Sequence, residues 1–190
     1  MGNAQRLKEA MRPGRVYRRQ ELEGLTTAVD RDLKTLVAAG EVRKPARGLY
    51  CRPLRTDWGP APPDDRELVR AFLKSDDFLL TSFDHYANLG LGLTQVYDVY
   101  FVYNHKRFGD FRLGGKRFRF RRVPAYPASL SKEYLLVDML NNLAALPEDS
   151  SAVLANLKGR LADFDRAKVF ICLGLYGNCA ARRSLSEAYA

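Results

Sequence analysis

Up to Gly40 the apolar residues recur at helical spacing. Leu7 and Met11 share one face of a predicted helix over residues 3–11, with Asn3 as its N-cap and Pro13-Gly14 as its stop. A short second helix is expected from about Arg18 to Glu23, ended by Gly24. Val29, Leu33, Leu36 and Val37 form the stripe of a third, capped by Thr26 or Thr27 and closed by Gly40. The pattern then shortens to two strand-like runs, 41–44 and 48–52, around Pro45-Ala46-Arg47-Gly48. Three helices and a hairpin, with a tight turn between the second and third helices, predict a winged helix-turn-helix.

"DWGPAPPDD", residues 57–65, reads as a stiff, extended linker. The predicted domains are therefore 1–56 and 64–190, joined by 57–63. In the second, "DDRELVRAFLK" is a capped helix with Leu68, Val69, Phe72 and Leu73 inward, "DFLLTS" a buried strand, and "FDHYANLGL" a short helix. Residues 95–104 are β-branched and aromatic, as a strand should be. Gly114-Gly115 predicts a two-residue hairpin turn in which Leu113 faces Lys116, Arg112 faces Arg117 and Phe111 faces Phe118. Phe111, Phe118 and Phe120 then share the buried face; Arg112, Arg117, Arg119 and Arg121 share the other. The remainder is helical, beginning with a segment capped by Ser129 or Ser131 whose stripe is Leu135, Leu136, Met139, Leu140 and Leu143. The expected class is α+β: an N-terminal winged helix-turn-helix, then a mixed α/β domain with a small sheet and C-terminal helices.

Charge sharpens this picture. The chain carries a net +9. Residues 1–56 hold 13 Lys and Arg against 6 Asp and Glu, and residues 57–190 hold 18 against 16. A basic domain attached to a nearly neutral one points to a polyanion for the first. In the DNA-bound arrangement the third helix lies in the major groove, with Thr27, Ala28, Arg31, Lys34 and Thr35 outward. Arg43, Lys44 and Arg47 on the wing reach adjacent phosphates or the minor groove, and Tyr17, Arg18 and Arg19 sit beside the backbone. Opposed Arg112 and Arg117 repel, so a chain that keeps them has a use for a second basic face, toward an anion or as a guard against aggregation.

The segment "YRRQELEGLTTAVDRDLKTLVAAGEVRKPARGLYCRP" resembles the N-terminal winged helix of AbiEi-type antitoxins of type IV toxin–antitoxin systems, through Leu33, Leu36, Gly40, Arg43, Arg47, Gly48 and Tyr50. "FLLTSFDHYANLGL" and "YGNCAARRSLSEAY" resemble two later segments of that family, in the right order. The resemblance implies a repressor that binds double-stranded DNA at its own promoter. It also implies a C-terminal domain that counters a nucleotidyltransferase toxin without a stable complex.

Other chemistries find little footing. His85 and His105 have no metal-ligand neighbour at helical spacing, and there is no P-loop or GxGxxG. No catalytic residue, metal or cofactor is expected, and the protein is read as a non-enzyme. Two alternatives stay open: a nuclease built on scattered carboxylates such as Asp98 and Asp110, and a ligand-sensing repressor with a sizeable apolar pocket in the second domain. Cys51, Cys172 and Cys179 are an odd number without CxxC spacing, which suggests buried reduced thiols in a cytoplasmic protein. No apolar run reaches about 18 residues, and the N-terminal segment is too polar for a signal peptide, so no membrane partner is expected.

Overall fold

The computed structural model describes residues 2–93 and 98–190. In chain order its elements begin α1 (Asn3–Ala10), β1 (Val16–Arg18), α2 (Arg19–Leu22), α3 (Val29–Ala38), β2 (Arg43–Ala46) and β3 (Leu49–Cys51). There follow β4 (Arg55–Thr56), β5 (Gly59–Pro60), α4 (Asp65–Leu73), β6 (Leu79–Ser82), a 3₁₀ helix Phe83–Leu89, β7 (Val99–Asn104), β8 (Gly109–Leu113) and β9 (Lys116–Arg122). The chain ends with α5 (Lys132–Asn142), α6 (Ser150–Gly159), α7 (Arg166–Tyr176) and α8 (Cys179–Tyr189). The class is α+β, with small sheets and C-terminal helices. The expected strand 95–104 is seen from Val99; its first part lies outside the described residues. No helix among the described residues is long and apolar enough to cross a membrane.

Two compact units result: Met1–Phe78 with Lys106–Arg119, and Leu79–His105 with Phe120–Ala190. The boundary expected at 57–63 is not where they part. Residues 55–60 fold back as the β4–β5 hairpin, with Arg55 opposite Pro60 and Thr56 opposite Gly59. α4 then packs on β1, an edge strand of the sheet ordered β1-β3-β2. The free edge of β1 needs partners for its backbone. α4 supplies them: Val16 N–H donates to Glu67 Oε2 at 3.3 Å, and Arg70 Nη2 donates to the Val16 carbonyl at 3.0 Å.

In the first unit, Leu7, Met11, Leu22, Val29, Leu33, Leu36 and Val42 form one core beneath α1, α2 and α3. The second helix lies within a residue of its expected span, with Arg18 as its N-cap, but strand β1, which was not expected, runs directly into it. Val16 and Tyr17 suit extended backbone better than helix, and they pair with Cys51 and Tyr50. α3 starts later than expected, with Ala28 at the N-cap and no side-chain cap. A turn closed by Leu25 N–H on the Leu22 carbonyl, and a bridge between Glu23 and Thr26, occupy the residues from which either threonine would cap. The C-terminal signal reads true. Gly40, at φ +70°, donates to the Val37 carbonyl, and Glu41 N–H to that of Leu36, the two bonds of a Schellman motif.

In the second unit, β6 pairs antiparallel with β7, Leu79 opposite Tyr103 through Ser82 opposite Tyr100. β7 also takes the end of β9, where Asn104 Nδ2 donates to the Arg121 carbonyl and the Asn104 backbone carbonyl accepts from Val123 N–H. α5, capped by Ser131, is buried on every side from Tyr134 to Leu140 rather than along one stripe, as a central helix must be. A break at Gly177-Asn178 separates α7 from α8, because Asn178 caps α8 by accepting from Ala181 N–H. Cys172 and Cys179 therefore stand on different helices; Cys51 is buried, but Cys172 is half-buried and Cys179 exposed.

Candidate nucleic-acid interface

α3 turns one face to its core and one to solvent. Leu33 and Leu36 are buried, while Thr27, Arg31, Lys34 and Thr35 are exposed; Ala28 is half-buried. The Arg31 side chain is 74% exposed, with its Nε 3.9 Å from Asp32 Oδ1. Asp32 points inward and is buried, so its charge is not presented on the solvated face. Thr35 Oγ1 donates to the Arg31 carbonyl at 3.0 Å.

Arg43, Lys44 and Arg47 are all exposed on the β2–β3 hairpin, whose turn is Arg47-Gly48 with Gly48 at φ +75°. Lys44 Nζ lies 5.9 Å from the centroid of the Tyr50 ring. Arg43 also neighbours Cys51, whose thiol burial nonetheless pushes up to about 11.

The residues near the start of α2 are placed differently from expectation. Arg19 does not stand open beside a DNA backbone. Its Nε and Nη2 donate to Asp30 Oδ1 and Oδ2, both at 2.6 Å, and its Nη1 reaches Glu23. Hydrogen bonds from Arg19 hold the Asp30 carboxyl below the usual range. This bidentate pair ties α2 to the first turn of α3. Tyr17 is half-buried against the core, and its hydroxyl accepts from Arg12 N–H at 2.9 Å. Arg18 is half-buried, with Nη1 enclosed and without a hydrogen-bond partner, while its own N–H donates to Glu21 Oε2 at 2.7 Å.

The second basic face is divided. Arg119 donates through Nε and Nη2 to Asp110 at 2.9 and 2.8 Å, the pairing required by the register in which Leu113 faces Lys116. Arg121 is half-buried and belongs to the second unit. Arg112 and Arg117 are exposed and belong to the first. Counted by unit, the first holds 22 Lys and Arg against 13 Asp and Glu, a net +9, and the second holds 9 against 9. The whole net charge of the chain thus sits on the unit that contains α3 and the β2–β3 hairpin.

One polar cluster escaped the sequence reading. Asp138, in the middle of α5, is 3% exposed. Its two carboxyl oxygens accept from the hydroxyls of Tyr86 and Tyr103, each at 2.7 Å. Asn142 Nδ2 donates to the Asp138 carbonyl at 2.8 Å. Burial raises the Asp138 carboxyl above its ordinary range and pushes Tyr86, Tyr103 and Tyr134 up as well. The visible signal was a carboxylate inside "YLLVDML". A cavity of about 210 Å³ adjoins it, lined in part by Tyr103, Tyr134, Asn141 and Arg182. That is smaller than the roughly 300 Å³ at which small-molecule sites begin. His85 Nδ1 lies 3.0 Å from Thr81 Oγ1, a local contact. No three His, Cys, Asp or Glu among the described residues are grouped to hold a metal ion.

No family model matches the chain, and no curated protein does. Among solved structures, the crystal structure of the RV2827C protein from Mycobacterium tuberculosis is similar, with a TM-score of 0.63 at 17% identity over 98% of this chain and 75% of that one. At that identity the likeness is one of fold, and it extends over nearly the whole chain.

Proposed function

We propose that the chain is a DNA-binding transcriptional repressor of the AbiEi antitoxin type, acting on double-stranded DNA at its own promoter. In this reading the first unit is a winged helix-turn-helix: α2 and α3 are the helix pair, α3 enters the major groove, and β2–β3 is the wing. The observation that carries it is the run of exposed Arg31, Lys34 and Thr35 on one face of α3, with Thr27 exposed just before its N-cap, together with exposed Arg43, Lys44 and Arg47 on a hairpin of the same unit. That unit also holds the entire net charge. Arg31 is long and exposed enough to read a guanine edge, and the wing cations suit phosphates. The antitoxin half of the proposal rests on the resemblance in residues 78–91 and 176–189, and places the countering of a nucleotidyltransferase toxin in the second unit.

A footprint on the DNA upstream of the protein's own gene tests the first half. Arg31→Ala should relax sequence preference, costing about 1–3 kcal/mol at one base pair. A uniform loss on specific and random DNA would make Arg31 a phosphate contact instead. Co-expression with a nucleotidyltransferase toxin tests the second half; toxicity that the intact chain does not relieve would reject it.

A further inference from the structure

The β8–β9 hairpin is seated in the first unit by several independent contacts. At its tip, Gly114 N–H donates to the Pro45 carbonyl of β2 at 2.9 Å. Gly114 sits at φ +59°, a conformation that favours glycine, and a Cβ there would come to 3.0 Å from Leu68 Cδ1 and press on that side chain. Lys116 Nζ pairs with both oxygens of Asp65 at 2.7 and 2.9 Å. Phe111 packs on Phe72 with ring centroids 4.8 Å apart. β2 is the edge strand opposite β1, and the tip of β8–β9 approaches it to within 8 Å between Cα atoms.

Two cations of this hairpin are engaged, Lys116 by Asp65 and Arg119 by Asp110. Arg112 and Arg117 alternate along their strands with buried Leu113 and Phe118, and both are exposed. Residues 109–119 of the hairpin contain four Lys and Arg and one Asp, a net +3 in eleven residues. The hairpin therefore brings a surplus of cations to the strand that carries Arg43 and Lys44.

We propose that the β2–β3 wing and the β8–β9 hairpin form one continuous phosphate-binding ridge, with Arg112 and Arg117 contacting the same duplex beyond the reach of the wing. This rests on the DNA-binding reading and extends it: the footprint on the DNA is longer than a lone winged helix makes, and the added part is insensitive to sequence, because it touches phosphates only. A duplex suits the ridge because its charge is regularly spaced along the axis; the hydrogen bond from Gly114 N–H to the Pro45 carbonyl joins the two hairpins, and the ion pairs to Asp65 and Asp110 brace β8–β9 on its own side.

The test uses the full chain and a random-sequence duplex, with affinity measured by fluorescence anisotropy across a salt series. Arg112→Ser with Arg117→Ser should lower the slope of log K against log salt by about 1.8, at ~0.9 for each lost phosphate contact. Lys158→Ser with Arg183→Ser, which removes two exposed cations from the second unit, is the charge-matched control and should leave the slope unchanged. Arg112→Lys with Arg117→Lys should restore it. A wild-type slope in the serine pair overturns the ridge, and if that pair instead loses protection against a co-expressed toxin, the hairpin belongs to a protein partner. The two readings fail differently. If Arg43→Ala, Lys44→Ala and Arg47→Ala together reduce the slope while the serine pair does not, only the ridge fails. If the intact chain binds no duplex, both fail.

Discussion

Arg19 and Arg31 carry the same side chain at either end of the turn between α2 and α3, and the fold uses them for opposite tasks. Arg31 projects into solvent, whereas Arg19 is clamped by Asp30 and Glu23. Its positive charge is already balanced, so it adds no phosphate contact. Arg19→Ala should leave the salt slope of duplex binding at its wild-type value, and any weakening should arise from a looser α2–α3 angle. A slope reduced by about 0.9 would instead put Arg19 on the DNA. Asp138 makes a different residue-scale prediction. Its folded pKa is raised mainly by burial, so above the unfolded value of about 3.9 the folded state disfavours the ionised carboxylate. Stability is then fully present at low pH and is lost as pH rises toward the folded pKa. The groups facing it are Tyr86, Tyr103 and Asn142, with Arg121 acting on Tyr103. Relative to Asp138→Asn, which does not titrate, the wild type should lose melting temperature as pH is raised from about 4. A wild type that gains instead would mean that the two tyrosine hydrogen bonds outweigh burial.

Among the elements, α3 shows how local chemistry and tertiary demand divide the work. Its C-terminus follows from Gly40 alone, since the αL conformation strains any residue with a Cβ. Nothing lies within 4 Å of the position where that Cβ would stand, so the strain is unmixed with a clash. Gly40→Ala should destabilise the first unit by about 1 kcal/mol in urea unfolding, and Gly40→Asn by less. A neutral Gly40→Ala would mean that the turn re-forms in another conformation. The N-terminus of α3 followed no such rule, because a turn and a bridge after α2 fixed where the helix could begin. Strand β1 was hidden for a related reason. Three residues are too short to show alternation, and their extended form depends on pairing with β3.

For the whole molecule, the proline-rich segment looked like a boundary and proved to lie inside a unit. The sheet of the first unit is incomplete without α4, since the outer edge of β1 leaves backbone groups of Val16 that Glu67 and Arg70 satisfy. A fragment of residues 1–56 should therefore show no cooperative thermal transition by circular dichroism, although it holds α1, α2, α3 and the β2–β3 hairpin. It is also near the size at which lone domains become marginal. A sharp transition in that fragment would show that α4 and the β8–β9 hairpin are dispensable.

The sequence by itself determined what depends on near neighbours. The stripe of α3, the Gly40 stop, the Gly114-Gly115 turn and the outward Arg31, Lys34, Arg43, Lys44 and Arg47 were legible, because periodicity and turn chemistry act over a few residues. Only the tertiary structure decided which of the other cations find a carboxylate partner. Arg19 meets Asp30 across eleven positions, Lys116 meets Asp65 across 51, and Gly114 meets Pro45 across the whole of the intervening chain. No spacing rule reaches that far. Like residues at exposed and paired positions look the same in one dimension, and they part only when packing brings a carboxylate to one and leaves the other to solvent.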